Sequence, residues 1–176
     1  MTYKHYSLNT ADEVHTFFVS YLPLVKLCLQ DFGVLGNFNF SGDHLGLQVG
    51  SAVEFDAVHK LLTKYCETIT EGVIHNRRNN TYKLHDFITH DGVELQSIEM
   101  FEPKPDADVS KLKLGFEHIA LYSPEYTAVY EHFCTNDLPI AKSLDMHGSK
   151  FFKTAFMNLV EIEFRNDYLW QTLKQT

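Results

Sequence analysis

The chain has 176 residues, 44% hydrophobic and 14% aromatic, enough apolar material for a packed core and too much for a disordered polypeptide. Fifteen Lys and Arg stand against 23 Asp and Glu, a formal net charge of -8, and the nearest thing to a basic cluster is the pair Arg77-Arg78, so a phosphate-backbone-binding surface is not expected. Ten histidines in a chain of this size pose the question of whether some of them converge.

The first predicted element is a long helix. Thr10 and Glu13 have the spacing of a capping box, and Val14, Phe17, Phe18, Tyr21, Leu22, Val25, Cys28 and Leu29 recur at steps of three and four. Pro23 falls inside the run and is expected to kink or split it; Gly33 and Gly36 end it. From Asp43 the period changes: Asp43-His44-Leu45-Gly46-Leu47-Gln48-Val49 alternates as a strand does, with Leu45, Leu47 and Val49 on one face. Ser51 and Glu54 then cap a second helix whose stripe runs Phe55, Val58, Leu61, Leu62, Tyr65, Cys66 and Ile69. Three strands are expected next, at about 73–78, 80–88 and 93–101, the last after a turn at His90-Asp91-Gly92. Pro103-Lys104-Pro105-Asp106 reads as a linker.

The order then repeats. Phe116-Glu117-His118-Ile119-Ala120-Leu121-Tyr122 has the acidic-His-aliphatic-small-Leu lettering of the strand beginning at Asp43. Ser123 and Pro124 suit a helix start, Tyr126, Val129, Tyr130 and Phe133 form its stripe, and strands follow at about 141–147, 150–157 and 159–165. The chain therefore reads as an α+β fold, one domain in which two βαβββ modules (41–105 and 106–176) form a curved, half-open barrel-like sheet around a cavity, with a helical segment (1–40) packed on it.

Alternation assigns faces. Leu45, Leu47, Ile119 and Leu121 cover the helices, as do Ile98, Met100, Val160, Ile162 and Phe164 from the closing strands. The opposite face carries His44, Gln48, Ser97 and Glu99 in one module, and His118, Tyr122, Glu161, Glu163 and Arg165 in the other. Two imidazoles and two carboxylates on such a face form a donor set suited to Zn²⁺, Ni²⁺, Fe²⁺ or Mn²⁺, and the cation would relieve the repulsion between the carboxylates. Asp43 and Glu117 precede the histidines and, on regular strands, point the other way as exposed strand-start residues. Lys83 and His85 share one face of the third strand of the first module, where they bind substrate anions or transfer protons if that face lines the cavity, and otherwise form a surface pair. Gln48, Tyr122 and Arg165 are substrate-binding candidates by parity. His15, His59 and His132 fall on helices, where solvation is expected.

Paired βαβββ modules with His on each first strand and Glu on each last resemble the vicinal oxygen chelate superfamily, whose members include glyoxalase I, extradiol dioxygenases, epimerases and antibiotic-binding resistance proteins. Within it, Tyr82-Lys83-Leu84-His85-Asp86, Ile98-Glu99-Met100-Phe101-Glu102-Pro103 and Gly115-Phe116-Glu117-His118 resemble the YecM-like branch, as does the extra N-terminal helical segment. The resemblance implies His44, Glu99, His118 and Glu163 as ligands of one divalent metal ion, with Glu161 as the alternative last ligand. It implies an isomerase or lyase on a small oxygenated substrate, with Glu99 or Glu163 as base and His85 as an accessory proton carrier. An extradiol dioxygenase, or a binding protein without chemistry on the same scaffold, are the alternatives. Two modules in one chain can complete a site as a monomer, and a dimer is compatible with it.

Cys28, Cys66 and Cys134 are odd in number and form no CxxC pair, so neither a disulfide framework nor a thiolate zinc site is expected. The first ten residues lack the apolar core of a signal peptide, and no apolar run approaches the roughly 18 residues that span a bilayer. A cytoplasmic protein with a small-molecule substrate, and with no nucleic-acid or membrane partner, is the expectation.

Overall fold

The computed structural model describes residues 8, 10, 12–74, 76–146, 148–156 and 160–174; His5, His75 and His147 lie outside them. Helix α1 runs Asp12–Asp31, with the Glu13 carboxylate accepting from the Thr10 amide at 3.3 Å, one half of the capping box. Pro23 neither splits nor ends it. Its stripe packs on the sheet, Phe17 stacking on Phe116 at 4.7 Å and Tyr21 Oη accepting from the Glu161 amide at 3.2 Å. Pro23 faces solvent, and the tertiary contacts outweigh the one backbone bond a proline removes. Gly33 adopts φ 68°, and the Val34 and Leu35 amides both close on the Leu29 carbonyl, which ends the helix.

Strand β1 is Ser41–Gln48. Helix α2, Ala52–Leu62, is capped by Ser51 Oγ, which accepts from the Glu54 amide at 3.1 Å. The helix stops earlier than its stripe predicts: Cys66 and Ile69 belong to strand β2, Cys66–Ile74. The run Thr68-Ile69-Thr70 is β-branched and pairs with Tyr82 and Thr81 of β3, Arg77–His90, so sheet pairing overrides a coincidental helical spacing. Strand β4 is Val93–Phe101, reached through a tight turn with Asp91 and Gly92 at φ 53° and 77°.

The second module repeats the order: β5 Gly115–Tyr122, α3 Tyr126–Thr135, β6 Lys142–Met146, β7 Ser149–Phe156 and β8 Val160–Arg165. Helix α3 begins two residues beyond Pro124, and the Ser123 hydroxyl accepts from the Glu125 amide at 3.1 Å. A short helix not expected from the sequence, α4 (Leu169–Lys174), follows.

Among the described residues the strands form one open eight-stranded sheet, ordered β2-β3-β4-β1-β5-β8-β7-β6. Read outward from the central pair, each half has the same order. β1 pairs with β4 in parallel, β5 with β8 likewise, and the halves meet at an antiparallel β1–β5 seam. Leu45, Leu47, Ile98, Met100, Ile119, Leu121, Ile162 and Phe164 are buried in the core with the stripes of α1, α2 and α3. Among the described residues no helix is long and apolar enough to cross a membrane.

Candidate metal centre

The seam positions the site through two irregularities. Gly42 pairs with Leu121 and Leu45 with Ile119, so β1 takes three steps where β5 takes two, placing an extra residue at Asp43-His44. Further along, Gly46 pairs with His118 and Leu47 with Phe116, so β5 carries the extra residue, at Glu117. A bulge re-aims the side chains beside it. Asp43 and Glu117 therefore do not point away as on regular strands. The Asp43 carboxylate is fully buried and lies 2.9 Å from His44 Nδ1, and Glu117 lies 3.3 Å from His118 Nδ1. Each module thus builds one carboxylate-imidazole pair at the same point.

With both Nδ1 atoms held, both Nε2 atoms face one another across 3.4 Å. Glu99 Oε2 stands 3.6 Å from His44 Nε2, while Asn79 Nδ2 donates to Glu99 Oε1 at 3.0 Å. Gly46 is the register partner of both Glu99 and His118, and its missing side chain leaves room for the His118 ring. One ligand atom from each of His44, Glu99 and His118 lies within 4.8 Å of the other two. Two Nε2 lone pairs and a carboxylate oxygen directed at one point repel unless a cation or proton lies among them. Tetrahedral ligands about 2.0–2.1 Å from Zn²⁺ are themselves about 3.3 Å apart, so the donor set fits a divalent ion.

The charges around the set are coupled. Burial opposes charging of His44, but the Asp43, Glu163 and Glu99 carboxylates together, Asp43 foremost, outweigh it and raise the His44 pKa. Burial would likewise raise Glu99 and Glu163. For Glu99, His44, His118 and the Asn79 hydrogen bond together outweigh burial and the Glu163 charge and lower the carboxyl; for Glu163, Lys153, His44, Arg165 and His118 together hold the carboxyl far below the usual range.

The other sequence candidates are distributed as follows. Glu163 is not in the three-residue set; it pairs with Arg165 Nη1 at 2.7 Å and Lys153 Nζ at 3.2 Å. Glu161 pairs with Lys153 at 3.5 Å and lies near Glu117 and His118. Arg165 also contacts Asp43 and Asp167. Gln48 donates to the Val49 and Phe101 carbonyls, and Tyr122 stacks on Tyr168 at 4.4 Å. Lys83 lies over the Trp170 ring at 4.2 Å. His85 is exposed and lies beside Glu67, away from the set. His59 and His132 are not simply solvated: their ring nitrogens bond Tyr82 Oη and the Phe32 carbonyl, both at 2.8 Å. Burial pushes the Cys28 and Cys66 thiols up to about 11 and about 12, so neither offers a thiolate.

Sequence reasoning missed Asn79, Lys153 and the roles of Asp43 and Glu117. Lys153 was within reach of parity, being the cross-strand partner of Glu163.

No protein-family model matches the chain, and no curated protein matches it in sequence. Solved structures do match in fold. A structural-genomics protein, EC4020, is similar with a TM-score of 0.62 at 15% identity, covering 91% of each chain. A methylmalonyl-CoA epimerase of Streptomyces coelicolor, in complex with 2-nitronate-propionyl-CoA, gives 0.51 at 18% identity over 72% of this chain and 98% of its own. Another methylmalonyl-CoA epimerase gives 0.53 at 13% identity over 73% and 94%. The chain has the fold of the vicinal oxygen chelate superfamily.

Proposed function

We propose that this chain is a divalent-metal-dependent enzyme of the vicinal oxygen chelate type, an isomerase or lyase acting on a small oxygenated molecule, with His44, Glu99 and His118 holding the ion. The observation that carries this reading is the convergence of two Nε2 atoms and a carboxylate oxygen, each imidazole being fixed at Nδ1 by a carboxylate from its own bulge. Such outer carboxylates fix the ring tautomer and raise ligand basicity. A divalent ion there supplies Lewis acidity, polarising a substrate carbonyl and stabilising charge on its oxygen.

The chain's own groups do the rest. Asn79 holds Glu99 Oε1 and so aims Oε2 at the histidines. Arg165 and Lys153 hold Glu163 as an oriented, ionised carboxylate, and the same ion pairs weaken it as a base, so its part is to fix negative charge beside the histidines. The YecM-like assignment belongs to the same proposal; it rests on the motifs around Tyr82, Ile98 and Gly115 and on the extra N-terminal helix α1. Free cysteines at all three positions support a cytoplasmic location.

Elemental analysis of protein purified without chelator, followed by reconstitution with Zn²⁺, Ni²⁺, Fe²⁺ and Mn²⁺, tests the reading. Bound metal, a metal-induced rise in melting temperature, and loss of both in His44→Ala and His118→Ala are expected; none of these in the unaltered protein overturns it. Turnover is then sought on glyoxal-glutathione adducts, 2-oxo acids and acyl-CoA epimers. A second reading, an extradiol-type oxygenase, draws on one observation: the clustered set is two His and one Glu, the ligand set of non-haem Fe²⁺ oxygenases. Oxygen uptake with catechols in the Fe²⁺-loaded protein decides between the two.

A further inference from the structure

Among the described residues three buried side-chain nitrogen or oxygen atoms have no hydrogen-bond partner: Arg77 Nε, Thr81 Oγ1 and Thr154 Oγ1. Thr154 pairs with Ile162, on the helix side of the sheet. The other two stand on β3, four residues apart and so on one face. Thr81 is the register partner of Glu99, which places Arg77, Asn79 and Thr81 on the face of the metal-binding set. Asn79, between them, bonds Glu99. Buried polar atoms without partners are rare enough to call for an explanation, and here two flank one site.

Arg77 and Arg78 are neighbours with opposite fates. Arg78 is matched by Glu102 and Asp56. For Arg77 no carboxylate among the described residues lies within ion-pairing distance. Its guanidinium lies over the Phe101 ring, 4.5 Å from the centroid, and Nη1 donates to Gln48 Oε1 at 3.0 Å and to the Glu102 carbonyl at 3.3 Å. These contacts fix the plane and one nitrogen while leaving Nε, part of the edge through which a guanidinium takes a carboxylate in two parallel bonds. The other cations of this face are engaged: Lys153 and Arg165 by carboxylates, Lys83 over Trp170 and near Glu67.

We propose that Arg77, assisted by Thr81, is a carboxylate-binding subsite, and that the substrate is a small organic acid carrying a carboxylate distal to the oxygens that face His44, Glu99 and His118. Phe101, beneath the guanidinium, follows Glu99 on the same face of β4, roughly 7 Å along the strand, a distance bridged by a chain of about five carbons. The metal end of this assignment rests on the proposed function; the Arg77 end stands on its own geometry.

The test uses the full chain and two 2-oxo acids with the same chelating end. 2-Oxoglutarate carries a distal carboxylate and 2-oxobutyrate does not. In calorimetric titrations of Mn²⁺-loaded protein, 2-oxoglutarate is expected to bind at least about tenfold more tightly, the scale of a charge-assisted hydrogen bond. Arg77→Met should erase the difference while Mn²⁺ affinity stays within about threefold and the circular dichroism is unchanged, and Arg77→Lys should keep part of it. Equal affinities in the unaltered protein, or a preference that survives in Arg77→Met, overturn the subsite. Should the unaltered protein bind no Mn²⁺, the proposed function fails instead. The two acids are then compared in EDTA, where an Arg77-dependent preference supports the subsite and its absence overturns it.

Discussion

The His118 imidazole lies against the backbone of Gly46, its register partner across the β1–β5 seam, in the volume that a β-carbon at position 46 would occupy. Gly46 is also the register partner of Glu99, so one residue without a side chain separates two of the three convergent groups. Gly46→Ala should push the ring out of line and, as an overpacked position, cost roughly 1–3 kcal/mol. Metal affinity by calorimetry is expected to fall at least about tenfold, the lower end of what loss of ligand orientation costs. An unchanged affinity would show that His118 takes no part in binding.

Asp43 joins the candidate metal-binding set to helix α4. Its buried carboxylate accepts from His44 Nδ1, from the Leu169 amide at the start of α4 at 3.2–3.3 Å, and lies 3.5 Å from Arg165 Nε. Asp43→Asn keeps the shape and removes the charge, and should weaken metal binding by about 10–100-fold. Glu117→Gln should weaken it less, because Glu117 is partly exposed and its bond is longer, at 3.3 Å. Asp43→Ala also leaves His44 Nδ1 and the Leu169 amide without their buried acceptor, while Arg165 keeps Glu163 and Asp167, with about 1–3 kcal/mol of destabilisation. Ranking the three variants by calorimetry and urea denaturation checks the order; equal effects of Asp43→Asn and Glu117→Gln would contradict it.

Period-two alternation was enough to align the strand holding His44 with the strand holding His118, and to put Glu99 on their face, because a buried sheet face leaves little freedom of register. It failed one residue earlier. Parity sends Asp43 and Glu117 outward, and only the cross-strand register reveals the extra residue in each strand. A bulge is a property of the pair of strands, and neither strand encodes it alone. The stripe through Tyr65, Cys66 and Ile69 misled for a related reason: the β-branched run from Thr68 is committed by its pairing with β3. Helix α4 is only six residues long, too short for periodicity to register, and is held by tertiary contacts such as Trp170 Nε1 donating to Gln96 Oε1 at 2.9 Å.

The core of the second module centres on Phe133. Its ring lies 5.0 Å from Phe152, 5.3 Å from Phe32 and 5.4 Å from Phe164, centroid to centroid, and is fully buried. Phe133→Ala removes tilted and edge-on aromatic contacts from α3, β7, β8 and the end of α1 together. A loss of about 3–5 kcal/mol is expected, read as a lower urea midpoint at an unchanged slope. Phe133→Leu should recover about half of it, since most of the apolar volume is kept.

Arg78 and Glu102 supply a pH signature away from the proposed metal centre. The Glu102 carboxylate accepts from Arg78 Nη2 at 2.9 Å and from Nε at 3.0 Å, and the Arg78 side-chain bonds, ahead of a smaller opposing effect of burial, hold its pKa below the ordinary 4.5. The unfolded chain therefore binds this proton at higher pH than the folded one. The pair's contribution is complete above about pH 4.5 and disappears as pH falls through the lower folded value. Arg78 is 36% exposed, so solvent screening reduces the contribution to about 1 kcal/mol. Urea denaturation of the unaltered protein and Glu102→Gln, run from pH 7 to pH 3, should give curves separated by about that amount at neutral pH that converge in acid. A separation that persists at pH 3 would assign the stabilisation to packing of the side chain and not to its charge.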